Sequence, residues 1–374
     1  MATSSSNSKL AASKTRSKAQ TVKRVCGESF LMLISSVSAL AILFILFTIF
    51  REALPFFQQF GIKELFENDN WRPTQDPPLF GALGIFLGTA LVTVGACVVA
   101  VPLGIAAAVC LSDVLPFKMR QLVKPVLELL AAIPSVVYGF FAMVLFAPLL
   151  QDKGGFVLAI AWWVVSIPVA LIACLVLSDL FTASLRDAPR KFCAPLIGLA
   201  MGIGAFIGIF HVGGRIADIN ISSGVNALNV SIILALMALP TIVSVCEDAL
   251  SSVGRSLREG SYALGSTRAE TVFKVVVPAA KGGIMAAVIL GVMRAVGETM
   301  VVLMAAGNSF EIPEPWYNML SGVRTLTATV AMEMGDTVHG GTHYHALFAL
   351  AFCLLVFTFL LNLVSEWVSR RSKV

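Results

Sequence analysis

The sequence predicts an all-α fold, a polytopic transmembrane helix bundle of about eight spans. Three observations lead there. Of the 374 residues, 57% are hydrophobic and 13% are charged, about half the ~25% charge share of an ordinary soluble domain. Charge-free runs such as Phe30 to Phe50, Ala82 to Leu111 and Gly154 to Ser178 each reach the ~20 residues that a helix needs to cross a bilayer core. The runs are also continuous, whereas a membrane β-strand alternates apolar and polar over ~10 residues. A water-soluble fold and a β-barrel are both excluded on these grounds.

The chain opens with a basic tail, residues 1–28, in which Lys9, Lys14, Arg16, Lys18, Lys23 and Arg24 stand without an acid before Glu28. Basic residues beside a span hold that end in the cytoplasm. A Ser-rich, acid-free opening also suits an organellar transit peptide, but a solvated tail is the simpler reading. The first span and its outer loop occupy 29–80. Its 21 uncharged residues up to Arg51 exceed the 7–15 of a signal-peptide core, so it reads as an uncleaved anchor. In the loop, Trp71-Arg72-Pro73 and Asp76-Pro77-Pro78 favour an extended surface segment.

Residues 81–368 hold the remaining spans, near 82–111, 125–151, 154–178, 192–212, 224–246, 282–306 and 345–365, and 369–374 form a second tail. The loops 112–124, 179–191 and 247–281 and the tail residues Arg370, Arg371 and Lys373 are rich in bases, while 51–80 and 307–344 hold more acids than bases. With eight spans both termini are therefore expected in the cytoplasm. Pro102, Pro134, Pro168 and Pro240 fall inside spans and call for kinked helices whose neighbours satisfy the freed carbonyls. Cys26, Cys97, Cys110, Cys174, Cys193, Cys246 and Cys353 avoid the outer loops, so no disulfide is expected.

The stretch 247–278 reads as a helix–turn–helix elbow on the cytoplasmic side. Val253, Leu257, Ala263 and Leu264 recur at near-helical spacing. Gly265 supplies the left-handed stop, and a second short helix follows from about Arg268 to Val277, ahead of Pro278.

This elbow resembles the E-A-A-x3-G-x9-I-x-L-P signature of ABC-importer permeases: Glu259, Gly260 and Ser261 stand in the E-A-A places, Gly265 in the glycine place, and Val275, Val277 and Pro278 in the last. The flanking segments Glu128-Leu-Leu-Ala-Ala-Ile-Pro134-Ser-Val-Val-Tyr138-Gly139-Phe140, Arg294-Ala-Val-Gly-Glu298-Thr-Met300 and Gly341-Thr-His343-Tyr-His345-Ala-Leu-Phe are similar to those of the PstC family of phosphate-importer permeases. The resemblance covers most of 80–150 and 225–368. It implies a permease core of six spans, so that about 151–224 is a two-span insertion. It further implies a bacterial inner membrane, a PstA-type partner permease, a PstB-type ATPase dimer and an extracytoplasmic phosphate-binding protein. The elbow would couple to the ATPase through Glu259, Gly260, Ser261, Gly265 and Pro278. The chain carries no G-x4-G-K-[ST] phosphate loop. It is therefore expected to be a transport subunit and not an enzyme, with no cofactor of its own, embedded in the lipid bilayer and binding no nucleic acid.

Within these boundaries Glu128, Arg294 and Glu298 are the charges inside spans, and such charges cost about 2.5–3.5 kcal/mol at a helix centre on insertion scales. Arg294 lies near mid-span. Its planar fork can donate two hydrogen bonds to one oxyanion. Glu298, four residues on and expected on the same helical face, can neutralise Arg294 or accept from a protonated phosphate, which fully ionised sulfate cannot offer. The competing reading makes the two a packing ion pair. Arg294, Glu298 and Glu128 are the candidates for the substrate pathway, although Glu128 sits close to the cytoplasmic end and can instead reach water or a nearby base. His339, His343 and His345 have a spacing open to zinc, but no cysteine stands near, and a polar helix entrance with no metal is the expectation. Two further functions compete: a permease for molybdate or sulfate, and an intramembrane serine protease built on Ser309, whose following residue, Phe310, breaks the glycine requirement of that motif.

Overall fold

A computed structural model describes the backbone of residues 4–67, 70–184 and 190–371, and helices dominate it. The tail bases Lys9, Lys14, Arg16, Lys18, Arg370, Arg371 and Lys373, those of the 179–191 loop, and Cys193 lie outside the residues whose side chains are described. Helix α1 (Ser4–Gln59) carries the first span. The short α2 (Glu64–Glu67) follows, then β1 (Trp71–Arg72), antiparallel to β2 (Leu79–Phe80). Next come α3 (Leu83–Val109), closed by a π turn at Cys110–Val114, α4 (Phe117–Ala132) and α5 (Ser135–Phe141). A second π turn, Ala142–Phe146, leads into α6 (Ala147–Ser184), which is followed by α7 (Arg190–Ala217) and α8 (Ala227–Ser251). The elbow comprises α9 (Arg255–Ala263), α10 (Arg268–Thr271), a third π turn at Val272–Val276 and α11 (Val277–Ala279). The chain ends with α12 (Lys281–Val296), α13 (Met300–Ala305), α14 (Leu326–Glu333) and α15 (Thr342–Arg371).

Among the described residues five helical segments are long and apolar enough to cross a membrane: Lys23–Gln59, Leu83–Val114, Ser135–Pro168, Ala227–Ser251 and Thr342–Val364. A sixth arises where α12 continues from the elbow through a 71° bend. The chain is thus a polytopic helical membrane protein. In α7 the described apolar stretch, Gly202–Ala217, is shorter. The predicted runs 125–151 and 154–178 are joined in one helix that leaves helical geometry at Lys153 (φ −132°, ψ 16°). Helices α6 and α7 pack side by side: Trp162 donates to the Ile209 carbonyl at 3.2 Å and Trp163 stacks on Phe210.

Four expected boundaries move. The span placed at 125–151 begins at Ser135, because Ile133 and Pro134 are extended (ψ 128° and 140°); proline disfavours helix in the residue before it. Pro134 therefore opens a span, and Glu128 belongs to the separate, amphipathic α4. The span placed at 224–246 runs on to Ser251, since the Glu247 charge is paired. The span placed at 282–306 is interrupted between α12 and α13, where Gly297 caps the first helix and Thr299 (φ −115°) leaves it. Finally, part of the 307–344 loop folds into the bundle. Val323, Thr325, Leu326, Ala328 and Thr329 are buried, and the Leu326 amide donates to Thr89 Oγ1 of α3 at 3.0 Å.

Helix α3 packs against α8, and α12 packs against both. Close approach comes from glycine, as is usual between membrane helices: Ile242 of α8 occupies the space that a Cβ on Gly104 of α3 or Gly291 of α12 would need. Around this trio sit three apolar clusters. One, with Ala100, Leu111, Ile242, Leu250, Val276 and Ile284, joins the elbow to the spans. A middle cluster unites Val92, Tyr138, Leu234, Val301 and Val323. The third packs Phe56, Trp71, Phe80 and Leu347 at the opposite end, where α1 meets α15. Over its described stretch 23–46, α1 instead presents Phe30, Leu33, Leu40 and Phe44 outward, as suits a lipid-facing helix.

Candidate functional site

Two regions carry the predicted functional residues. In the bundle, Arg294 is half-buried near the end of α12, and its Nη1 donates to Thr241 Oγ1 of α8 at 3.0 Å. Thr241 follows Pro240, the proline inside α8. Glu298 is not stacked on Arg294, because the helix ends between them. Its carboxylate instead lies 3.5 Å from the Val301 amide at the start of α13, and its carbonyl accepts from the Thr327 hydroxyl at 2.7 Å. Among the described residues no carboxylate lies within 4.0 Å of the Arg294 guanidinium. The competing reading, an Arg294–Glu298 packing ion pair, therefore has no support among the described residues, and the Arg294 guanidinium has further donors beyond the bond to Thr241.

Beside Thr241 a cavity of about 250 Å³ opens between α4 and α8, lined mainly by apolar groups together with Lys124, Glu128, Thr241, Ser244 and Glu247. Glu128 thus borders this cavity from the exposed α4 rather than from within a span. Tyr138 closes the break between α4 and α5 by donating to the Leu130 carbonyl at 3.0 Å. Sequence reasoning passed over Glu247, which is buried and binds Arg120, Lys124 (3.0 Å) and Ser251 (3.2 Å). The hydrogen bond to Glu247 raises the Lys124 pKa above the usual lysine value. The available signal was an acid directly after an apolar run, facing a basic loop.

The second region is the elbow. Gly265 takes φ +83°, and the Ser266 amide reaches back to the Ser261 carbonyl at 3.3 Å, a glycine-stopped helix end. Thr267 and Glu270 form a reciprocal cap on α10; the bond from the Thr267 amide, with Lys274 beside it, holds the Glu270 carboxyl down at about 2. The two arms are clipped together by buried Ser261 Oγ and Thr271 Oγ1, 2.9 Å apart. Glu259, Gly260 and Pro278 are exposed. Tyr262, Phe273 and Leu264, the last 89% exposed, project from the turn.

At the end opposite the elbow lies a third cluster, in which His343 of the expected polar entrance is joined through Glu333 to Arg324, whose burial sequence reasoning missed. Arg324, 6% exposed, pairs with Glu333 at 2.8 Å, and Glu333 also binds His343 (2.8 Å) and the Trp71 indole (2.9 Å). Nδ1 of His345 lies 2.8 Å from the Glu52 carbonyl oxygen, and the His339 ring lies against Tyr344. Ser309 Oγ accepts from the Glu311 amide at 3.3 Å, and the hydrogen bonds of His343 and His345 go to glutamates.

Residues 100–374 match the family described as binding-protein-dependent transport system inner membrane component. A probable ABC transporter permease protein, YqgH of Bacillus subtilis, is 33% identical over 305 residues, covering 82% of this chain and 77% of its own. Phosphate transport system permease proteins PstC from Pasteurella multocida and Mesorhizobium japonicum are 30% and 31% identical, covering 84% and 81% of this chain and 82% and 77% of their own. The chain belongs to the binding-protein-dependent transport system inner membrane components, multi-pass permeases of ABC importers, and among them to the PstC family.

Proposed function

We propose that this chain forms half of the translocation path of an ATP-driven phosphate importer, facing a PstA-type permease, with a PstB-type ATPase dimer at the elbow and a phosphate-binding protein at the opposite end. The observation that carries the substrate is Arg294: a guanidinium half-buried among spans, held by a neutral hydroxyl and without a carboxylate within 4.0 Å among the described residues. A permanently charged, forked donor of this kind binds a tetrahedral oxyanion in two places. The names of the PstC relatives support phosphate over molybdate or sulfate.

In this reading both termini and the elbow face the cytoplasm, as the charge asymmetry of the loops favours. Glu259, Gly260, Ser261, Gly265 and Pro278 shape the elbow, and its exposed apolar turn seats in the ATPase. Glu298 stands at the break beyond Arg294, where a carboxylate can accept from a protonated phosphate. Glu128 borders the side cavity, from which it can face the substrate pathway. ATP hydrolysis belongs to the separate subunit. The 151–224 segment is an addition to the core.

The test uses the whole importer in proteoliposomes. Arg294→Ala abolishes ATP-driven phosphate uptake while the complex still assembles, and Arg294→Lys recovers only part of it; normal uptake by Arg294→Ala refutes the assignment. Glu298→Leu narrows the preference for phosphate over sulfate, and an unchanged preference gives Glu298 a packing role only.

A further inference from the structure

Arg258, on the first arm of the elbow, links the elbow by polar contacts to two spans at once. Its Nη1 bonds Asp113 Oδ1 in the π turn that ends α3, and its Nη2 donates to the Leu250 carbonyl near the end of α8 at 2.8 Å. Both partners are shielded, with the Arg258 side chain 20% exposed and that of Asp113 7%. The fork is split. One prong holds α3 and the other holds α8, so the second carboxylate oxygen, Asp113 Oδ2, is buried without a hydrogen-bond partner, as is the neighbouring Ser112 Oγ.

A buried carboxylate oxygen left unpaired is costly, and a guanidinium is built to satisfy both oxygens of one carboxylate. A second arrangement is therefore available to the same atoms: both prongs on Asp113, with the Leu250 carbonyl released. Moving between the two needs a shift of the elbow relative to α8 while its hold on α3 persists. Helix α3 packs against α8 and touches α12, the helix that carries Arg294.

Resting on the importer reading above, we infer that Arg258 is a positioning residue, the two-state joint through which displacement of the elbow is passed to α3 and so to the translocation path. Both prongs are paired on each side of the exchange, with Asp113 Oδ2 left over on one side and the Leu250 carbonyl released on the other, and this near-balance gives the bistability that such switching requires.

The experiment compares Arg258→Lys, Asp113→Asn and the double variant in the complete importer, reading ATP-driven phosphate uptake beside complex recovery and thermal melting. Lysine keeps the charge but has no fork, so the expected result for Arg258→Lys is uptake down about tenfold, within the usual range of a coupling term, at unchanged recovery and melting. The double variant should transport no worse than Arg258→Lys alone, because both changes break the same joint. Wild-type uptake in Arg258→Lys overturns the inference. So do additive losses, or uptake that falls only in step with recovery or melting, since a merely structural bond behaves in those ways. If the wild-type complex itself does not import phosphate, the substrate reading fails instead; the joint is then judged on the anion it does import.

Discussion

At the scale of single residues, charge placement was half legible. Arg294 stood out because an arginine inside an apolar run has few reasons to be there, and it does reach across to Thr241. Its relation to Glu298 was misjudged. A spacing of four residues means one face only while the helix continues, and Gly297 and Thr299 end it. Arg324 and Glu333 lie in what reads as an outer loop, where no periodicity marks burial. Yet their bond is among the most enclosed ion pairs of the described residues, and Trp71 and His343 complete it. Removing one partner of a buried pair strands the other, at a cost of about 3–5 kcal/mol. Glu333→Leu should therefore lower the melting temperature of the purified permease and free the first outer segment to proteolysis near Trp71, as limited digestion will show. An unchanged melting point would mean that Arg324 finds water instead.

At the scale of elements, the elbow was the most readable part. Its glycine, its spacing and its short amphipathic helix were all local signals, and local chemistry decided the outcome: φ +83° at Gly265, and a reciprocal cap at Thr267 and Glu270. A side chain in the left-handed region costs about 1–2 kcal/mol per residue, with asparagine tolerated best. Gly265→Val should accordingly uncouple the importer more severely than Gly265→Asn, read as phosphate imported per ATP hydrolysed, whereas equal effects would remove the backbone argument. Span ends were less legible. Proline at 134 reads equally as a kink within a helix or a stop before one, and Ile133 takes the extended form that makes it a stop. Glu247 looked like the first loop residue. Once Arg120, Lys124 and Ser251 meet it, the helix has no reason to end there.

At the scale of the whole molecule, the bundle depends on small residues at crossings. A Cβ on Gly84 would run into the Phe310 carbonyl, and one on Gly88 into the Arg324 carbonyl. In both cases the obstacle is backbone, which cannot rotate away as a side chain does. Gly88→Val should push the 306–333 segment off α3, exposing Thr89 and Leu326 and lowering the yield of folded permease. Gly202→Ala, where an added Cβ meets nothing within 4 Å, is the matched control, and equal yields for the two would contradict this packing. Sequence alone shows that Gly84 and Gly88 share a helix face, but not what lies against it.

By itself the sequence determined that the chain is a helical membrane protein, and it located the elbow. Both depend on quantities additive along the chain: the apolar length needed to cross a bilayer, and turn chemistry confined to a few neighbouring residues. Tertiary structure alone decided where charges find partners, that the Arg294 helix breaks before Glu298, that a loop returns into the core, and that Arg258 divides its fork between two spans. Each of these depends on groups far apart in sequence. Their pairing energy inside a shielded bundle outweighs the local preferences that a reading along the chain can register.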